Sequence, residues 1–330
     1  MAILDRTAAG GLIPVEYSRE IIQELPQESA FLRLARRLPN MSRKEDKRPV
    51  LNSLPMAYFV NQTSGNTGDD DIGVKQTTKM EWGTLTLTAE EIACIIPVPE
   101  NVIADADYNL WEEIIPQVRA AFGVVIDQAA IFGVGTPTSW AQAIVPGAVA
   151  AGNTLAVGDV ANGDLASDII GVGGLMNLVE ADGYNVNGFY AANTMKAQLR
   201  DLRDSVKQPI FLGHLTEAEP DRLVNVPIYF DRNGNFNPTN NLMIAGDWTK
   251  AVYAVREDIE YRLLTEATII DPATKEVVYA LAQQDMAAMR FKMRLAVQVA
   301  NPVTRANGTA ATRYPFSVLT PKVEDEGGEG

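Results

Sequence analysis

Few side chains in this sequence can carry acid–base, nucleophilic or metal chemistry. There is one histidine, His214, and one cysteine, Cys94. A His-based catalytic triad has a single base to draw on, the G-x-S-x-G elbow is absent, and His-rich metal sites are excluded. His214, in Phe211-Leu212-Gly213-His214-Leu215, reads as a partly buried loop residue, and Cys94, in an apolar strand-like run, as a small core residue. Asp69-Asp70-Asp71 has the carboxylates a calcium loop uses but not its spacing, and reads as a solvated tip. The phosphate loop G-x-x-x-x-G-K-[ST] is missing. Gly171-Val172-Gly173-Gly174 lacks the third glycine of a dinucleotide loop and falls inside a helical pattern. No catalytic residue, cofactor or metal is assigned, and an enzyme is not expected.

The charged residues are instead arranged for contact. Arg33, Arg36, Arg37, Arg43, Lys44, Lys47 and Arg48 form a basic segment interrupted only by Glu45 and Asp46, and Asp69, Asp70 and Asp71 follow as an acidic patch. Both are candidate inter-subunit contacts. Packaged nucleic acid is the other reading of the basic segment, but the aromatic interleaving of a single-strand binder is missing, with Phe31 the only ring nearby. A net charge of −14 argues against free nucleic acid as a partner for the surface as a whole.

The chain that must position these residues has 330 amino acids, 46% hydrophobic and 21% charged, enough for a sizeable core and two lobes. One cysteine excludes an intrachain disulfide and fits a reducing compartment. Residues 1–14 lack the apolar run of a signal peptide, and no window reads as a membrane span, so a soluble protein made in a cytosol is expected.

The longest irregular stretch, Arg43 to Trp82, is rich in Gly, Asp and Thr at its centre and bounded by strand-like sequence. A structureless insertion of that length is unusual in a compact domain. It reads as a β-hairpin arm leaving the body of its subunit, inbound over Pro49–Val60 with Tyr58-Phe59-Val60 as the clearest strand, and outbound over Val74–Pro97, where Thr84, Thr86 and Thr88 alternate with Leu85, Leu87 and Ala89. Such an arm implies a neighbouring chain. Before it, Ile21, Ile22 and Leu25 precede Pro26, and Ser29 is placed to cap a turn carrying Phe31, Leu34, Ala35 and Leu38. After it, a long helix is expected over 109–133, with Asn109 and Glu112 at capping-box spacing, Gly133 as stop, and Pro116 either kinking it or opening it. Residues 134–166 read as loop, Ser167–Ala181 as one helix, and Asn193 as the cap of a helix carrying Met195, Leu199, Leu202 and Val206. Strands are expected at Phe189–Ala191, Val224–Phe230, Leu242–Ala245 and Ala251–Val255, and over Met286–Val299, where Met289, Phe291, Met293, Leu295, Val297 and Val299 share a face opposite Arg290, Lys292 and Arg294.

In this order the parts resemble the major capsid proteins of tailed bacteriophages. Gly10-Gly11-Leu12-Ile13-Pro14-Val15-Glu16-Tyr17 is similar to the family's opening "GG-x-LIP-x-E", and Glu28-Ser29 with Leu32 and Arg36 to the start of its N-terminal arm. Gly246-Asp247-Trp248 is similar to a recurrent "GD-aromatic" turn, Gln284-Asp285-Met286-Ala287-Ala288-Met289-Arg290 to the segment entering the peripheral sheet, and Tyr314-Pro315-Phe316-Ser317-Val318-Leu319 to the final strand. The resemblance implies an α+β, Hong Kong 97-like capsid fold: an N-terminal arm at 1–40, an extended loop at 41–95, a peripheral domain at 96–133 and 281–330 with its spine helix at 109–133, and an axial domain at 134–280.

The function it implies is a shell protein that self-assembles through pentamers and hexamers into the icosahedral head around double-stranded DNA, in the virion, after assembly in the host cytoplasm. An encapsulin-like bacterial compartment shell is the alternative. The "GG-x-LIP" equivalent begins at Gly10, with no N-terminal scaffolding region before it, so the resemblance implies a separate scaffolding protein or assembly without one, together with a portal and a possible decoration protein. Some family members join subunits by a Lys–Asn isopeptide bond. Lys75 and Lys79 in the arm and Asn301 after the last long strand are placed for one, but cross-linking is not the expectation.

Overall fold

The computed structural model describes residues 29–57, 77–105, 110–160, 164–202 and 221–322. At Ser29 the capping expectation holds: its Oγ accepts from the Leu32 backbone N–H and opens helix α1 (Ala30–Leu34). The helix stops before the apolar pattern does. Ala35 is extended, and Arg36–Arg37 form a short strand, β1. Leu38 is therefore off the helix, and its N–H donates to the Tyr253 carbonyl. A sheet edge offered the backbone partners that a further helical turn would otherwise have supplied.

The hairpin is present at its base. Strand β2 (Glu45–Ser53) pairs antiparallel with β3 (Glu81–Thr88), from Glu45 opposite Thr88 to Ser53 opposite Glu81. Thr84 is exposed and Leu87 fully buried, but the expected alternation is lost towards the body, where Thr88 is buried beside Leu87 and Ala89. Tyr58-Phe59-Val60 and the tip with Asp69, Asp70 and Asp71 lie outside the described residues.

Strand β4 (Glu90–Pro99) runs from the hairpin into a four-stranded sheet of order β1-β10-β13-β4, in which β10 is Ala251–Leu264 and β13 is Met286–Val299. A loop boundary at residue 95 thus falls inside a strand paired with β13 along its whole length. On β13 the expected face is buried at Met289, Phe291, Met293, Leu295 and Val297. Strand β10 runs well beyond the expected Val255, because register shifts between Val255 and Glu260 break the alternation that sequence reading depends on. Beyond it, β11 (Thr268–Ile270) and β12 (Val277–Ala280) form a small exposed hairpin.

After α2 (Glu100–Asp105) comes the long helix α3 (Leu110–Asp127), which continues as a π-helical turn over Gln128–Phe132 and ends on left-handed Gly133. Asn109 lies outside the described residues. Pro116 sits inside α3 and removes one helix hydrogen bond. Contrary to the expectation that no stretch is long and apolar enough to cross a bilayer, Leu110–Phe132 is so by length and composition. Here Val118, Phe122, Ile126 and Ile131 bury into the core shared with β13.

Three expectations fail in the second lobe. The stretch read as loop contains helix α4 (Ile144–Ala151) and strand β5 (Thr154–Ala156), because small residues such as Gly147 and Ala148 that look loop-like are the ones that pack closely. The single helix is two, α5 (Leu165–Ile170) and α6 (Leu175–Ala181), broken where Gly173 takes φ +81°. Helix α7 (Met195–Asp201) follows strand β6 (Gly188–Ala192) but starts after Thr194, with no side-chain cap; Val206 lies outside the described residues.

Strands β7 (Arg222–Leu223), β8 (Val226–Asp231), β9 (Met243–Gly246) and β14 (Phe316–Thr320) complete a six-stranded mixed sheet of order β5-β14-β9-β6-β8-β7. This corrects the boundary at 281: β14 belongs with β5 and β9, not with β13. The chain reaches it through a buried polar knot in which Asp182 accepts from Asn153 Nδ2 (2.9 Å), the Tyr314 N–H (2.9 Å) and Asn307 Nδ2 (2.7 Å). The Gly246-Asp247-Trp248 turn links the sheets. Trp248 Nε1 donates to the Gly188 carbonyl at 3.0 Å, and its ring meets Phe316 edge-on at 5.1 Å.

Candidate assembly surfaces

The base of the hairpin is fixed to the body. Leu38, Met41, Leu87, Ala89, Val252, Ala254 and Ala296 form a buried cluster separate from the main core. Trp140 Nε1 donates to the Thr88 carbonyl at 2.9 Å, and the Val303 N–H to the Leu51 carbonyl at 3.0 Å. Further out the apolar residues lose their cover: Met56 is 74% exposed, Met80 45% and Trp82 62%. Apolar side chains left uncovered beyond a buried base are a feature common at interaction surfaces.

The basic segment does not form one face. Arg36 and Arg37 lie on the edge strand β1, Arg43 and Lys44 in the loop before β2, and Lys47 and Arg48 are successive residues of β2, which point to opposite sides. Some of the charge is matched within the chain. Lys44 lies 3.8 Å from Glu90, Arg48 2.9 Å from Asp46, and Arg37 donates to Asn40 Oδ1 at 3.2 Å. The Arg33 guanidinium sits 4.8 Å above the Tyr229 ring. Arg36, Arg43 and Lys47 are exposed and form no ion pair among the described residues. The acidic patch they were expected to meet is not among those residues.

The outer face of the four-stranded sheet carries a charge ladder. Arg294 bridges Glu91 (2.7 Å) and Glu257 (3.3 Å), and Lys292 bridges Glu260 (2.9 Å) and Glu257 (3.5 Å). The hydrogen bond and charge of Lys292 hold the Glu260 carboxyl below its usual range. One step along, Arg290 stands opposite Arg262 across the strands, and both add to the positive field on Glu260. The apparent cationic stripe of β13 is therefore mostly neutralised, which the strand alone could not show.

Sequence reading missed Asp127 entirely. It is fully buried at the end of α3 and accepts from Ser29 Oγ (2.6 Å), the Ala30 N–H (3.0 Å) and the Phe31 N–H (2.9 Å). Burial pushes its carboxyl up to about 6 although all three hydrogen bonds pull it down. The carboxylate satisfies first-turn N–H groups of α1 and so fixes where the N-terminal part of the chain meets the spine helix. The one available clue was an acid inside the apolar run from Phe122 to Phe132.

Lys75 and His214 lie outside the described residues, and Lys79 pairs with Glu81. The Asn301 amide is occupied within its own chain: Oδ1 accepts from Tyr184 Oη (2.8 Å) and Arg313 Nε (3.1 Å), while Nδ2 donates to the Arg313 carbonyl (2.7 Å). Cys94 is half-buried on β4 opposite Phe291, and burial raises its thiol pKa.

A family model described as "Phage capsid family" matches residues 9–304. The chain belongs to the phage capsid family. A curated major capsid protein from Staphylococcus phage 80alpha is 25% identical over 313 residues, covering 93% of this chain and 88% of that protein. Among solved structures, one from Microbacterium phage Oxtober96 is 36% identical with TM-score 0.80, covering 97% of this chain and all of that one. Another, from Mycobacterium phage Cain, is 31% identical with TM-score 0.79, covering 98% and 99%. The capsid of an empty GTA particle, 15% identical with TM-score 0.59, shares the fold alone. This chain is a phage major capsid protein with the Hong Kong 97-type fold, and nothing in these comparisons supports the encapsulin alternative. It is a component of the virion and assembles with copies of itself into an icosahedral shell. The exposed apolar residues of the hairpin and the charge ladder are thus surfaces of a capsid subunit.

Proposed function

We propose that this capsid protein builds its shell from pentamers and hexamers, with the β2–β3 hairpin laid over the neighbouring subunit, around double-stranded DNA held without sequence specificity. The observation that carries this reading is the hairpin itself, with Met56, Met80 and Trp82 uncovered beyond a base locked by Leu87 and Trp140. Lobes arranged around five- and six-fold axes make heterologous contacts that close on rotation. An overlapping arm extends each interface beyond the roughly 1,600 Å² of a standard pair. Arg33, Arg36, Arg37, Arg43, Lys44, Lys47 and Arg48, with Asp69, Asp70 and Asp71, are read as contacts between subunits. Exposed ion pairs are worth about 0–1 kcal/mol each, so their effect comes from repetition around the shell. The role is structural rather than catalytic. Assembly takes place in the host cytoplasm, with a separate scaffolding protein, a portal and a possible decoration protein as partners. The division into an arm at 1–40, an extended loop from 41, peripheral parts and an axial domain is kept, with β4 placed in the four-stranded sheet and β14 in the six-stranded one.

The test is light scattering with negative-stain electron microscopy on the protein expressed alone and then with its neighbouring genes. Icosahedral particles, or free pentamers and hexamers, are expected. A monomer or dimer under every condition would overturn the reading.

A further inference from the structure

A groove of about 600 Å³ runs between α1, α3 and β10. Leu32, Phe122, Ile259 and Met293 supply its apolar wall, Arg33 and Arg119 its positive charge, and Asp258 is the one acid among its lining residues. Arg119 is exposed and makes no ion pair among the described residues. Ser29 also lines the groove, so the chain preceding it starts there. The path at that point is tight. A Cβ at Gly123 would lie 3.0 Å from the Ser29 backbone nitrogen, and the Asp127 carboxylate holds Ser29 from the other side.

We propose that residues 16–28 of the same chain occupy this groove. The segment has the matching chemistry: Ile21, Ile22 and Leu25 are its apolar cluster, and Glu16, Glu20, Glu24 and Glu28 outnumber its single base, Arg19. Leu25 is four residues from Ser29, a reach of at most ~14 Å even when fully extended, so it cannot leave the vicinity of the groove. Tethering at that distance gives the segment a local concentration that a free partner does not match. Docked there, the isoleucines and Leu25 cover Ile259 above the buried Phe122 and Met293, and the glutamates face Arg119. The proposal concerns the unassembled subunit and does not depend on how the shell is built.

The test uses the full chain, dilute and unassembled, in a Cys94→Ala background. Cysteine is placed at Ala120 and, in separate variants, at Ile21, Ile22 or Leu25, and the protein is mildly oxidised. A disulfide within one chain, seen as a shifted monomer band, is expected for at least one pair. Disulfides only between chains would seat a neighbour's segment in the groove, and no disulfide in a folded protein would empty it; either overturns the proposal. A second readout avoids added cysteines. Arg119→Glu is expected to speed tryptic cleavage after Arg19 roughly tenfold, since cleavage follows the population of the open form. An unchanged cleavage rate with an unchanged melting temperature would also overturn it.

Discussion

Ser29 and Asp127 stand 98 residues apart in sequence and share a 2.6 Å hydrogen bond in the core. The same carboxylate takes the backbone N–H groups of Ala30 and Phe31, so one side chain of the spine helix organises the first turn of α1. Asp127→Ala leaves those two donors buried without an acceptor and is expected to cost roughly 2–4 kcal/mol. Ser29→Ala removes only a cap and one hydrogen bond, at about 1 kcal/mol. Urea denaturation of both single variants and the double variant measures the coupling. Simple additivity would show that the bond carries no energy of its own.

The pH dependence of this site has a definite sign. The Asp127 carboxyl has an ordinary value of 3.8 when unfolded and about 6 in the folded protein, so folding favours its protonated form. Its contribution to stability is full below 3.8 and is lost as pH rises through about 6, by about 3 kcal/mol in all. Most carboxylates act in the opposite direction, so the comparison must isolate this one. Wild type is expected to lose stability relative to Asp127→Asn between pH 4 and pH 7 in urea titrations. A constant difference across that range would refute the assignment.

Trp82 is exposed at 62% on a hairpin whose base is buried. Trp82→Ala is expected to leave the subunit's stability within about 0.5 kcal/mol, as for surface substitutions in general. Shell yield should fall sharply. Thermal melting of the subunit and particle counts by electron microscopy separate the two effects, and normal yield would remove Trp82 from the interface.

Arg33, Arg36 and Arg37 are all exposed in the free subunit. Reversing their charge together is expected to block assembly at low salt, with the loss eased at high salt as screening grows. The subunit's melting temperature should not fall. A clear drop would make them internal contacts, with the Arg33–Tyr229 stacking as the first suspect.

The sequence by itself determined what local pattern encodes. The alternation of Met289, Phe291, Met293 and Leu295, the cap at Ser29 and the long stripe of α3 were legible because each depends on near neighbours. So was the functional class, through the order of the family-like segments and an arm with nothing of its own to cover it. Tertiary structure alone decided the rest. Helix α4 was hidden because its glycine and alanines look irregular until a facing strand gives their small size a purpose. The β13 stripe looked cationic because Glu91, Glu257 and Glu260 come from other strands. Strand β14 joined the six-stranded sheet through Asp182, and Asp127 found Ser29, across distances in sequence that no periodicity spans. Hydrogen bonds and ion pairs of that kind are set by which surfaces the core brings together, and a linear pattern does not contain that choice.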